Sequence, residues 1–115
     1  MTDLESVRQR FLHEEPTKRL GHLAADLLRI ANFIETGSHN AAIPIIRESK
    51  FMAEWAAPDS DPETQGLLSE TQSFLAFKEL QWSQWISDEA EVQQTALTIR
   101  SWSDEFLKRT GLLNP

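Results

Sequence analysis

The chain has 115 residues, 40% of them hydrophobic, no cysteine and a net charge of −7. That length fits one domain with one core, and the missing cysteines exclude a disulfide framework, a thiolate zinc site and a thiol nucleophile. The first residues are polar, with no apolar h-region, and no apolar run approaches the ~20 residues of a membrane span, so the expectation is a cytoplasmic protein with no membrane contact.

The charge is unevenly placed along the chain. Residues 56–95 hold eight acids and one base, whereas residues 1–55 hold eight acids and seven bases. An acidic middle third argues against nucleic acid as a partner, because phosphates are held by basic patches. It fits a solvated surface, or a docking face for a basic protein surface.

In chain order, Thr2 can cap a first helix while Glu5 reaches back to complete a capping box. Leu4, Val7, Phe11 and Leu12 follow at helical spacing, and three turns are too short to be stable without packing on something. Pro16 suits the first turn of a second helix. There Leu20, Leu23, Ala24, Leu27, Leu28, Ile30, Ala31 and Ile34 form one stripe at about 100° per residue, with His22, Asp26, Arg29 and Phe33 opposite. Gly37 ends this helix, and the short turn to Asn40 makes the next helix an antiparallel neighbour.

The third helix is expected from Asn40 or Ala41, with Pro44 near its first turn. Its inner stripe is Ala42, Ile45, Ile46, Ser49, Met52, Ala53 and Ala56, and Phe51 and Trp55 lie outside that stripe. Pro58 stops the helix; Ser60 is the expected cap of the fourth, with Glu63 completing the box and Pro62 in the first turn. The fourth helix places Leu67, Leu68, Phe74, Leu75, Trp82, Trp85 and Ile86 within about 120° of arc, with Thr71 and Lys78 inside it. Phe77 and Leu80 fall well off the arc, so this helix has apolar groups on a second side.

Residues 67–110 lack Gly and Pro, and an unbroken rod of that length would need a partner along it. A break is expected at Ser87-Asp88, because both are good caps and Glu91 stands three beyond Asp88. The fifth helix then buries Val92, Ala96, Ile99, Trp102, Phe106 and Leu107, and ends at Gly111, with Leu112 placed to touch Leu107. The fold expected is all-α: one domain over residues 1–115, an up-down-up-down four-helix bundle with a short extra N-terminal helix.

Chemistry is sparse. His13, His22 and His39 lack the Glu-x-x-His spacing of di-iron bundles, and the His22/Asp26 pair offers one metal edge at most. Lys78 on an apolar stripe reads as a snorkelling side chain rather than a Schiff-base amine. No catalytic residue, metal site or cofactor is expected.

Arg8 and His13 stand as Arg-x4-His. This spacing resembles the Arg-x4-6-His motif of the HEPN family, helical-bundle proteins that include ribonucleases. Gln9 stands where that family usually has a short polar residue, and the pair lies on the first helix rather than a late one. The resemblance implies a ribonuclease, or an inactive relative, in which Arg8 and His13 converge in a cleft. The residues themselves point elsewhere. Phe51, Trp55, Phe77 and Leu80 are the expected partner-binding residues of a non-enzymatic interaction protein that binds protein, above all a second copy of itself.

Overall fold

The computed structural model describes residues 3–111. It contains six α-helices: α1 (Leu4–His13), α2 (Pro16–Glu35), α3 (His39–Ala56), α4 (Pro62–Leu80), α5 (Trp82–Trp85) and α6 (Glu89–Arg109), with a 3₁₀ turn at Ala57–Asp59. No strand occurs among the described residues. The class is all-α, with α2, α3, α4 and α6 as the four long helices.

The expected stripes supply the core, although Trp102 and Leu107, expected to be buried on α6, are only partly buried against it, as are Leu67, Phe74, Trp82 and Ile86. On α2, Leu23, Leu27 and Ile30 are fully enclosed, and all seven inner residues expected on α3 are buried. Leu28 departs from the expectation: it lies at the edge of its stripe and is 42% exposed. Phe33, expected on the wet side of α2, is half-buried against the core instead, because its long ring reaches around the helix.

The backbones approach most closely between α2 and α6, α2 and α3, and α3 and α4. Small residues permit this, as where Ser103 of α6 donates its hydroxyl to the Ala24 carbonyl of α2 at 2.7 Å. Arg100 reaches Asn32 and Glu35 at the other end of the pair, so α6 runs antiparallel to α2. α4 and α6 stand farther apart, and large rings span the gap: Phe74 and Trp102 meet edge-to-face with centroids 4.9 Å apart. At one end of that gap, Arg109 binds Glu63, Glu105 and the Thr64 hydroxyl.

The helix ends correct several expectations. Asp3 caps α1, accepting from the Glu5 N–H at 3.1 Å and from the Ser6 hydroxyl at 2.9 Å; Thr2 lies outside the described residues, as does Leu112. α3 begins one residue early, at His39. Asp61 rather than Ser60 caps α4, accepting from the Thr64 N–H at 2.7 Å. Ser60 is drawn back to the end of α3, where its hydroxyl donates to the Ala56 carbonyl, and Glu63 is engaged by Arg109 instead of closing a capping box. A carboxylate in the first turn is the stronger acceptor for helix N–H groups, which explains the one-residue shift.

The break expected at Ser87-Asp88 is present, and Asp88 caps α6 through the N–H groups of Ala90 and Glu91. A second interruption lies earlier, at Gln81. There the Trp85 indole N–H donates to the Lys78 carbonyl at 2.8 Å, satisfying an acceptor that the ended helix leaves open. Trp82 and Trp85 then pack edge-to-face, 5.0 Å between centroids. Gly37 and Gly111, both expected to end helices, have positive φ, the left-handed conformation that glycine adopts at low cost.

Candidate interaction surface

α1 lies over the outer side of α3. Its buried residues are Val7 and Phe11, and the Phe11 ring meets Trp55 at 5.9 Å. Trp55 in turn stacks on Phe51, 5.8 Å between centroids and 23° between planes. The two α3 aromatics are therefore half-covered within the chain. What remains is a groove of about 680 Å³ between the helices, lined by Leu4, Leu12, Phe51, Trp55 and Pro58, with Glu5, Arg8, Glu54 and Asp59 at its rim.

Arg19 anchors this arrangement. Only 8% exposed, it donates to the Leu12 carbonyl at 2.8 Å and the Glu14 carbonyl at 2.9 Å, and pairs with Asp59 beyond the end of α3. One guanidinium thus fixes the end of α1, the start of α2 and the turn after α3. The sequence reading did not single it out. The available signal was an arginine beside Leu20, seven and five residues after Leu12 and Glu14, whose helix-end carbonyls are left open.

Phe77 and Leu80 are elsewhere. Both lie on the outer face of α4, opposite buried Leu68, Thr71 and Leu75, and are 59% and 81% exposed. Phe77 borders a separate shallow groove with Lys78, Gln81, Gln84 and Trp85. The four expected contact residues therefore divide into two pairs, one partly covered by α1 and one exposed on α4. Other exposed apolar side chains, such as Leu97, stand singly and need no explanation.

The charges beside the α4 face are mostly matched. Glu79 is bound by Arg47 at 2.6 Å and also by Lys50. Burial pushes its carboxyl up, but hydrogen bonds and charge from Lys50 and Arg47 outweigh that and hold it below its ordinary value. Lys78 lies 4.9 Å from the Trp85 ring centroid and 5.5 Å from that of Phe74, with Glu91 at 3.5 Å. The side chain is largely buried, and its ammonium is held by two ring faces and a carboxylate rather than by open water as a snorkelling lysine would be. Asp59 and Glu63 are taken by Arg19 and Arg109, and Asp61 and Asp88 serve as caps. The acidity of the middle third is real in sequence, yet bases from the other helices offset much of it in space.

The remaining candidates do not assemble. Arg8 pairs with Glu5 at 3.5 Å on the rim of the α1–α3 groove, and exposed His13 does not line that groove. His22 pairs with Glu14 at 2.6 Å rather than with Asp26. Burial, then repulsion from Glu48, pushes the Asp26 carboxyl up, only partly offset by Arg29 at 3.4 Å. Among the described residues no group of three or more histidines and carboxylates could hold a metal ion, and no helix is long and apolar enough to cross a membrane.

The described residues form an all-α bundle with Phe77 and Leu80 exposed on the outer face of α4. No protein-family model, curated protein or solved structure matches the chain.

Proposed function

We propose that this chain is a non-enzymatic interaction module that associates with a second copy of itself, using the outer face of α4. The observation that carries the reading is the exposure of Phe77 and Leu80 on one face of a helix whose opposite face is already in the core. Large exposed apolar patches mark contact surfaces, and Phe77 and Leu80 stand side by side on this face. Phe51 and Trp55 form a secondary part of the surface, since α1 already covers much of them.

A basic protein partner is the competing reading. It is disfavoured because Arg47, Lys50, Lys78 and Arg109 already occupy acids on and beside α4. Sedimentation equilibrium from micromolar to about millimolar concentration tests the proposal. The expected result is a reversible dimer, lost in Phe77→Ser/Leu80→Ser. A wild-type chain that stays monomeric throughout that range refutes it.

A further inference from the structure

We infer that the corner where α1, α2 and α3 meet is a proton-operated latch: the charged imidazole of His22 holds Glu14 and keeps α1 over Phe51 and Trp55, and loss of its proton loosens α1.

The corner surrounds a small cavity of about 250 Å³ with an apolar lining of Val7, Phe11 and Met52 and a polar one of Arg10, Glu14, His22 and Glu48. Val7 and Phe11 are the buried residues of α1, so the cavity lies on the seam between α1 and the rest of the bundle. There His22 Nε2 is 2.6 Å from a Glu14 carboxylate oxygen. Glu14 directly follows α1, and its backbone N–H donates to the Phe11 carbonyl. The pair therefore ties the end of α1 to the second turn of α2. Glu14 and Glu15 between them are extended, and Pro16 keeps Glu15 out of the helical region. α1 and α2 cannot merge into one helix, so α1 is a separate piece that depends on its contacts.

Charged groups face the imidazole from all three helices. Arg10 and Glu14 come from α1 and its end, Glu48 from α3, and Asp26 and Arg29 from farther along α2. With His22 neutral, Glu14, Asp26 and Glu48 outnumber Arg10 and Arg29, and a charged imidazole restores the balance. Asp26 registers the excess of negative charge. Burial, then repulsion from Glu48, pushes its carboxyl up, while Arg29 and His22 act the other way.

Histidine is the side chain whose charge ordinarily changes between about pH 5 and 8. A charged imidazole gains its carboxylate in the folded corner, so its contribution is present at mildly acid pH and lost as pH rises past neutral. It is lost again near about pH 4, where carboxylates take up protons. The size is modest, because His22 is exposed and Glu14 only half-buried; a surface pair changes an equilibrium about twofold to fivefold. Such a factor is small beside the stability of the bundle, but it acts on the opening of one short helix that parts from the bundle locally.

The chain has no cysteine, so Val7→Cys places one thiol beneath α1 that reacts only when α1 lifts. Its labelling rate, referred to that of an unstructured peptide thiol at the same pH, should rise about twofold to fivefold between about pH 6 and about pH 8. The rise should vanish in Val7→Cys/His22→Gln and in Val7→Cys/Glu14→Gln. Val92→Cys, buried on α6, should show no rise. Should Val7→Cys itself undock α1, amide exchange of residues 7–11 in the wild type and in His22→Gln, referred to intrinsic rates, gives the same reading. The latch is overturned by a flat profile over this pH range, by a rise that survives His22→Gln, or by an equal rise at Val92, which would mean that the whole bundle loosens.

Discussion

Replacing Arg19 by methionine should separate α1 from the rest of the bundle. The guanidinium is nearly buried and satisfies two carbonyls at the end of α1 while pairing with Asp59. Hydrogen bonds to a charged group contribute about 1.5–3 kcal/mol each. The Asp59 partner adds less, because that side chain is 53% exposed and solvent screens it. Methionine retains most of the stem packing and removes the donors. A loss of about 3–6 kcal/mol in the docking of α1 follows from the two carbonyl bonds, against about 6–17 kcal/mol for a chain of this length. Because α1 touches the bundle over a small area, chiefly through Val7, Phe11, Leu12 and this arginine network, the loss should be local. Amide hydrogen exchange should therefore accelerate across residues 4–13 while α2 and α6 keep their protection. Trp55 emission should shift to the red as Phe11 leaves it. Asp59→Asn should cost under about 1 kcal/mol. The reasoning fails if Asp59→Asn costs as much as Arg19→Met, or if protection falls evenly across all helices.

Other sites give further tests. Thr95 and Ser49 are buried, with hydroxyls that find no hydrogen-bond partner in the protein; Thr95→Val should raise urea-unfolding stability by about 1 kcal/mol, since an unpaired buried hydroxyl is costly. Trp85→Phe removes the indole bond to the Lys78 carbonyl and weakens the ring beneath the ammonium, and should cost about 1–2 kcal/mol in the same assay. Asp88→Ala should cost about 1 kcal/mol as a lost cap and fray the start of α6 in hydrogen exchange. Asp26 tests the pH dependence. Its raised pKa means that folding favours the protonated form, a contribution fully present below the unfolded value and lost as pH rises through the folded one. Asp26→Asn should therefore stabilise the chain at pH 7, and the gain should vanish below about pH 4; a gain that persists at pH 3 would contradict this.

The helical core was legible because its stripes are regular. Every residue expected on the inner face of α3 is buried, and the left-handed glycines were readable from chemistry alone. Helix starts were less so: Ser60 and Asp61 are adjacent acceptors, and only the relative placement of α3 and α4 decides which faces the open N–H groups. The Gln81 interruption was hidden because its acceptor is satisfied by a tryptophan four residues on, a contact that propensity does not encode. Charge misled most. Counting along the chain left the middle third with one base, but Arg19, Arg47, Lys50 and Arg109 come from other helices. Linear charge asymmetry predicts a surface field only when helices do not exchange partners.

The two apolar surfaces on this bundle have different fates, and the difference bears on what each can do. Four long helices provide one core, and any large apolar residue on an outer face must be covered by something added. For α3 the addition is α1, a ten-residue helix whose Phe11 partly covers Trp55. Nothing among the described residues plays that role for α4, although its outer face carries the larger exposed side chain areas. If exposure at Phe77 and Leu80 were merely tolerated, Phe77→Ser/Leu80→Ser should leave monomer stability nearly unchanged and gain solubility, with no effect on mass in solution. If the face is kept for a second molecule, the same change should remove the dimer while leaving the melting of the monomer within about 0.5 kcal/mol, as expected for substitutions at wet sites. Both readings predict an intact fold, so mass at high concentration is the measurement that separates them.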